Sequence, residues 1–296
     1  MRILVTGANG LLGGFLVPEL AEAGHEVLAT GLGPCRLPDA GAFRYATLDI
    51  TDAMSVRARM ADFSPEVVVH AAAVTQADDC EKDPVRCWNV NVTATRFIVD
   101  AAVRQGAFPV YISTDFVFEG DAGPYREEDT PAPVNYYGCS KLAAEKAVRS
   151  AASESAVVRT VLVYGPSPNM ARSSLMGWVA RNLREGRNIR VVSDQIRTPT
   201  FAGDLARGIR MVAEKKASGL WHLSGRDILT PYEMAMRTAD LLGLDKSLME
   251  RVDASTFSQP ARRPLRTGFI IDKAKRELGY DPLTFEEGLQ RTIPFI

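Results

Sequence analysis

Several things are scarce in this chain of 296 residues. No apolar run approaches the ~20 residues of a membrane span, and the start lacks the basic leader and cleavage site of a secretion signal. The four cysteines, Cys35, Cys80, Cys87 and Cys139, form no C-x-x-C pair, and the three histidines, His25, His70 and His222, are scattered. They give no metal site, and the cysteines read as buried or incidental thiols in a reducing cytoplasm. Neither sign of charge prevails: 35 Lys plus Arg against 36 Asp plus Glu leave −1. Electrostatics therefore offers no reason to expect nucleic acid or an anionic membrane as partner. Internal repeats and low-complexity tracts are also missing. The rest is an ordinary soluble composition, long enough for one large α/β domain or for a domain with a smaller lobe.

What the chain does have is alternation of strands and helices, beginning at Met1. Arg2-Ile3-Leu4-Val5-Thr6 is a short β-branched apolar run and reads as a buried strand. Gly7, Gly10 and Gly13 follow at intervals of three, and Leu11 to Leu20 then has helical spacing, with Gly24 as its stop. Strand, glycine turn and helix are the parts of a dinucleotide site. Glycines let backbone approach a pyrophosphate, whose charge rests on the free N–H groups of the helix start. The spacing G-x-x-G-x-x-G differs from the G-x-G-x-x-G dehydrogenase fingerprint.

A second strand, His25 to Thr30, ends in Thr30-Gly31 where NAD enzymes place an acid for the adenosine ribose. With that acid missing and Arg36 close behind, the 2′-phosphate of NADP is favoured, since a guanidinium binds it bidentately. Arg36 as an ordinary surface charge is the alternative. Phe43 to Leu48 is a third strand, closing in Asp49-Ile50, which suits either an adenine contact or a cap for the helix from Thr51. Glu66 to His70 is a fourth, running into Ala71-Ala72-Ala73, small enough for a flat ligand or for helix packing. Val85 to Gln105 reads as one amphipathic helix in which Asn91 bonds neighbouring backbone.

The fifth strand, from Pro109, ends in Ser113-Thr114-Asp115, at the sheet edge where parallel α/β folds bind ligands. Tyr137 and Lys141 open the next helix at i and i+4, on one face. An ammonium beside a phenol lowers its pKa and makes it an acid/base usable at neutral pH. Val157 to Tyr164 is a sixth strand. Ser174 to Glu185 is a helix and Ile189 to Val192 a strand, and the Asp204–Val212 helix and Leu220–Ser224 strand rejoin the first domain. Thr230-Pro231-Tyr232-Glu233 is a capped helix start. Arg197, Arg262, Arg263 and Arg266 are candidates for a diphosphate.

Gly7-Ala-Asn-Gly-Leu-Leu-Gly13, Asp49-Ile50, Ala71-Ala-Ala73, Asn91, Ser113-Thr-Asp-Phe-Val-Phe118, Tyr137-Gly-Cys-Ser-Lys141, Arg159 and Val163-Tyr-Gly-Pro166 resemble the extended short-chain dehydrogenases/reductases. Pro124-Tyr-Arg-Glu-Glu-Asp129, Asp194-Gln195, Pro199-Thr200 and Asp204-Leu-Ala206 are most similar to the dTDP-4-dehydrorhamnose reductase branch. The resemblance implies a Rossmann fold, a doubly wound parallel sheet with a small C-terminal α/β substrate lobe. Residues 1–165 plus about 197–223 would form the dinucleotide-binding domain, and about 166–196 plus 224–296 the lobe. It implies Thr114, Tyr137 and Lys141 as the catalytic set. Thr114 would bond the substrate oxygen, Tyr137 would protonate it, and Lys141 would hold the nicotinamide ribose. Around NADP, or else NAD, it places Gly7, Asn9, Gly10, Leu11, Leu12, Gly13, Arg36, Asp49, Ile50, Ala71, Ala72, Ala73, Asn91, Tyr137, Lys141 and Val163. Around the substrate it places Thr75, Thr114, Asp115, Phe116, Arg197 and Thr200.

The implied activity is reduction of a 4-keto-6-deoxy nucleotide sugar in dTDP-rhamnose biosynthesis, by a cytoplasmic homodimer formed through the helices from Val85 and Tyr137. An epimerase or dehydratase of the same fold is an alternative, although Phe116 stands where dehydratases carry a Glu. A non-catalytic, coenzyme-binding regulatory subunit is another.

Overall fold

Four β-branched and apolar runs at the head of the chain pair because each is apolar on both faces, and the half-exposed Arg44–Thr47 joins them at the edge. In the computed structural model, which describes residues 1–38, 41–166 and 175–295, they are β1 (Arg2–Thr6), β2 (Glu26–Gly31), β3 (Arg44–Thr47), β4 (Val67–His70) and β5 (Phe108–Thr114). With β6 (Ala156–Thr160) and the late strand Gly219–His222 they make a seven-stranded sheet, every pair parallel. Its order is Gly219–His222, β6, β5, β4, β1, β2, β3. The order reverses between β1 and β4, and that crevice is where doubly wound sheets take dinucleotides.

Side chains on the two faces enter different cores. Ile3, Val5, Val27, Val69 and Val110 pack with Leu16 of α1 (Leu11–Glu22) and with Leu205 and Ile209 of the helix Ala202–Glu214. Leu4, Leu28 and Val68 face α2 (Ala53–Phe63) and Ile98 of the helix Ala94–Arg104. The period of two along each strand produces this division.

The single helix expected from Val85 to Gln105 is interrupted. It runs as α-helix over Pro84–Trp88, as one π-helical turn over Asn89–Thr93, and as α-helix again over Ala94–Arg104. The expected sixth strand is likewise two. β6 stops at Thr160, Leu162 turns with φ +34°, and Val163–Tyr164 pairs with Thr200–Phe201 outside the main sheet. The chain thereby leaves the sheet towards a smaller unit, where Ile189–Val192 pairs with Met249–Val252 under the helices Leu175–Arg184 and Pro231–Leu242. Ser174, expected to begin the first of those helices, lies outside the described residues. Thr230 caps the second with the expected capping box to Glu233. Cys80 and Cys87, read as thiols, face each other across a turn and form a disulfide, with Cα atoms 5.1 Å apart. Among the described residues no helix is long and apolar enough to cross a membrane, and no cluster of His, Cys, Asp or Glu is arranged to hold a metal ion.

Candidate active site

The glycine turn is fixed by what crosses it. Gly7 has φ +73°, and a Cβ there would lie 2.8 Å from the backbone nitrogen of Ala72, so only glycine lets the β1 and β4 connections approach this closely. A Cβ on Gly13 would sit 2.3 Å from the Ala8 carbonyl oxygen, which holds α1 tight against the turn. Gly10 is the N-cap of α1, and no side chain caps the helix or places an acid in its first turn. The N–H groups at this end are therefore available to an anion.

Asn9 does not point its amide at a ligand. Nδ2 donates to the carbonyls of Leu32 and Pro34 and to the Tyr45 hydroxyl, and Oδ1 accepts from the Arg36 nitrogen at 2.9 Å. The amide thus lashes the loop after β2 to the glycine turn and holds Arg36 beside it, with the guanidinium exposed. Asp49 is exposed and accepts from the Thr51 nitrogen and hydroxyl at 2.9 and 2.7 Å, so it makes a turn ahead of α2 while Asp52 caps that helix. Ile50 is buried behind it.

Ala71, Ala72 and Ala73 continue from β4, half-buried, and Thr75 beyond them is exposed. A buried polar chain ties this segment to the helix behind. The Ala72 nitrogen donates to Thr6 Oγ1, which meets His70 Nδ1 at 2.7 Å, and His70 Nε2 meets Thr95 Oγ1 at 3.0 Å. Because Thr95 donates its own proton to the Asn91 carbonyl, it must accept from Nε2–H, which leaves Nδ1 as acceptor for Thr6. His70 is therefore neutral, and burial pushes its pKa down to about 3. Asn91, on the π turn, accepts from the Val74 nitrogen at 2.8 Å and donates to the Val74 carbonyl and to Ser140 Oγ. Its amide positions the loop after β4 against the helix that carries Tyr137, as expected of an amide that bonds nearby backbone.

That helix, Tyr136–Ala151, begins with Asn135 accepting from the Gly138 nitrogen. Tyr137 and Lys141 are both buried on its inner face, opposite the end of β5. Thr114 lies beside Tyr137 and lowers its pKa, and the Phe116 ring meets the phenol ring edge-on at 5.9 Å. The expected lowering of the tyrosine pKa by the lysine is reversed. Burial, with the charge of Asp115 added, outweighs the pull of Thr114 and pushes the phenol up. Lys141 does not oppose this, because its ammonium donates to the Ile112 carbonyl at 2.7 Å and lies 4.2 Å from the Tyr111 ring centre. Burial brings Lys141 itself down to about 7.

Of the residues expected around the substrate, Thr114, Asp115 and Phe116 gather beside Tyr137, while Arg197 and Thr200 are engaged elsewhere. Arg197 is buried and donates to the carbonyls of Ile196, Pro264 and Leu265 and to Gln195. Thr200 is fully buried and donates to the Val161 carbonyl at 2.6 Å. Both fasten the chain reversal next to the site. Val163 sits half-buried in the short strand paired with Thr200. Arg263 is bound by both oxygens of Asp78, which leaves Arg262 and Arg266 as the exposed candidates for a diphosphate. Two buried features were not anticipated from sequence. Thr267 donates to Asp115, and Glu145 forms a two-pronged ion pair with Arg159. The position of Glu145, one turn beyond Lys141 on the buried face, is the signal that marked it.

The family model described as the RmlD substrate binding domain matches residues 1–295. The chain belongs to that family. Its place is among the extended short-chain dehydrogenases/reductases, as the motifs from Gly7 to Pro166 suggested. A probable low-salt glycan biosynthesis reductase of Haloferax volcanii is 32% identical over 98% of this chain and 96% of its own. The beta subunit of methionine adenosyltransferase 2 from Pongo abelii is 34% identical over 100% of this chain and 88% of its own. The crystal structure of dTDP-4-dehydrorhamnose reductase from Bacillus anthracis in complex with NADP is 30% identical, with a TM-score of 0.83, over 99% of this chain and 98% of that one. The RmlD family thus holds reductases alongside a subunit of a different enzyme.

Proposed function

We propose that this RmlD-family protein is an NADPH-preferring reductase of a 4-keto-6-deoxy nucleotide sugar. The observation that carries the reading is Tyr137, buried beside Thr114 at the C-terminal end of β5, with Lys141 one turn beyond. The residues at the β1/β4 crevice fit a dinucleotide, because the α1 N-terminus is uncapped and the Gly7 backbone closes on Ala72 with no room for a Cβ. There the α1 N–H groups would hold the pyrophosphate, Ile50 and the Ala71–Ala73 segment would cover the rings, and Lys141 would bind the nicotinamide ribose. When bound, the dinucleotide supplies the hydride that reduces a carbonyl carbon.

The protein supplies orientation and the proton. Thr114 donates a hydrogen bond to the carbonyl oxygen and polarises it. Tyr137 gives its phenolic proton to that oxygen as negative charge develops there. A phenol raised by burial is fully protonated at neutral pH, which is the form a reductase needs at the start of each turnover. Exposed Arg262 and Arg266 are the guanidiniums left for the substrate diphosphate. We further infer that residues 1–165 with about 197–223 act as the coenzyme side and about 166–196 with 224–296 as the substrate side. Exposed Val85, Trp88 and Val103 on the helices of the expected dimer face fit a homodimer, which light scattering at micromolar concentration checks directly.

The identity with the methionine adenosyltransferase subunit favours a second reading, a coenzyme-binding subunit without turnover. A panel of nucleotide sugars incubated with NADPH or NADH separates the two. Oxidation of coenzyme by a 4-keto-6-deoxy sugar nucleotide supports the reductase, and coenzyme binding without turnover of any member supports the subunit.

A further inference from the structure

Glu145 is a buried acid that no step above uses. Both of its oxygens are taken: Oε1 accepts from Ser113 Oγ at 2.5 Å and from Arg159 Nε at 2.9 Å, and Oε2 accepts from Arg159 Nη2 at 2.7 Å. Ser113 immediately precedes Thr114, and Arg159 lies opposite Ser113 in the β5–β6 register. The carboxylate therefore clamps three pieces together: the helix bearing Tyr137 and Lys141, the strand end bearing Thr114, and the neighbouring strand. The guanidinium is itself held over the Phe118 ring at 5.1 Å, with Nη1 buried and unpartnered.

Several groups lie around Lys141, and the buried Asp115 carboxyl faces the neighbouring Tyr137. From β4 comes His70, which is neutral, and from β5 come the Ile112 carbonyl and the ring of Tyr111. The lysine's own helix contributes Glu145, one turn further on, which is itself paired to Arg159 of β6. Of the groups around the lysine, Glu145 is the one whose charge acts on it to raise its affinity for a proton. We propose that Glu145, clamped by Ser113 and Arg159, is a positioning residue that sets the reach and the charge of Lys141. The proposal rests on the reductase reading of that lysine. Stability by itself does not account for the pair, since a well-packed apolar pair in a core is commonly as stable as a buried ion pair. Burial draws Lys141 down to about 7 and the Glu145 charge pushes it back up. Removing that charge lowers Lys141 further, so the ammonium is lost at a lower pH and whatever depends on it fails earlier on the basic side.

The test follows NADPH affinity and turnover from pH 6 to 9 in the parent, Glu145→Gln, Glu145→Asp and Ser113→Ala, with thermal melts as the check on folding. In Glu145→Gln the basic limb of NADPH binding moves about one pH unit towards acid, and turnover falls by about tenfold or more from misplacement. Glu145→Asp, which keeps the charge, restores the position of the limb. A folded Glu145→Gln protein with the parental limb overturns the proposal, as does a uniform loss at every pH. If leaving Arg159 unpaired prevents folding, Ser113→Ala decides, because it leaves both charges in place. Because Ser113→Ala loosens the clamp without removing the carboxylate's charge, slower turnover with the parental limb supports the proposal, and parental turnover overturns it. A shifted NADPH limb in a protein that turns over no sugar nucleotide upholds the role of Glu145 while sinking the reductase reading.

Discussion

Thr267 donates its hydroxyl proton to a carboxylate oxygen of Asp115, joining residues 152 positions apart beside Thr114. Burial pushes the Asp115 carboxyl up, while Arg197, Thr267 and Thr114 pull it down. Thr267→Val deletes one of those partners and leaves a buried acceptor less satisfied, at a cost of about 1–3 kcal/mol. The expected result is a lower melting temperature together with slower turnover, because Thr114 and Asp115 share a hydrogen bond. Unchanged values of both would show that the tail does not brace the site.

Tyr137→Phe keeps the ring against Phe116 and removes only the proton donor. Turnover should fall by roughly 10²–10⁴-fold, with coenzyme affinity nearly intact. Tyr136, whose nitrogen is bonded to Glu81, is the control and should tolerate Phe. Normal turnover by the Tyr137→Phe protein would move the subunit reading ahead.

Arg36 is held beside the glycine turn through its backbone nitrogen, so replacing its side chain leaves the loop anchored. Arg36→Ala should therefore weaken NADPH and leave NADH almost unchanged, as seen by fluorescence titration of each coenzyme. Equal losses for both would place the guanidinium away from the 2′-phosphate.

His70 gives the protein an acid sensitivity of known sign. Its pKa is about 3 in the fold against an unfolded value of 6.5, so the folded state prefers the neutral ring. The stability it contributes is complete above pH 6.5 and is lost as pH falls towards 3. By pH 4.5 the loss is about 2–3 kcal/mol. His70→Asn should be less stable at pH 7.5 but lose less on acidification, which melts at pH 7.5 and 4.5 compare directly. An identical acid drop in both proteins would remove His70 as its source.

Much of the framework was legible because it depends on local pattern. The β-branched runs, the glycines and the Thr230 cap each specify their own geometry, and the strands named from them pair in the sheet. The fate of individual polar side chains was less legible, because it depends on partners far along the chain. Arg197 carries the right chemistry for a diphosphate, yet its donors are consumed by carbonyls 67 and 68 residues away. Thr200 looks like a substrate hydroxyl and is instead sealed under Val161. The break at Leu162 was hidden as well, since a β-branched run on both sides disguises one residue at positive φ. The lysine–tyrosine pair was named from its spacing, but spacing alone does not reveal that the ammonium faces the Ile112 carbonyl.

The seventh strand, Gly219–His222, enters the sheet only after the excursion through the smaller unit, and the stretch through Thr267 that braces Asp115 comes later still. A chain emerging from the ribosome therefore has its glycine turn, Tyr137 and Lys141 in hand long before it has a finished sheet. Until Gly219 arrives, the outer edge of β6 is an open row of hydrogen-bonding groups able to recruit a neighbouring chain. Nascent chains stalled between Thr160 and Gly219 are thus the ones most exposed to mispairing, and the seven-stranded sheet is not separable by a single cut.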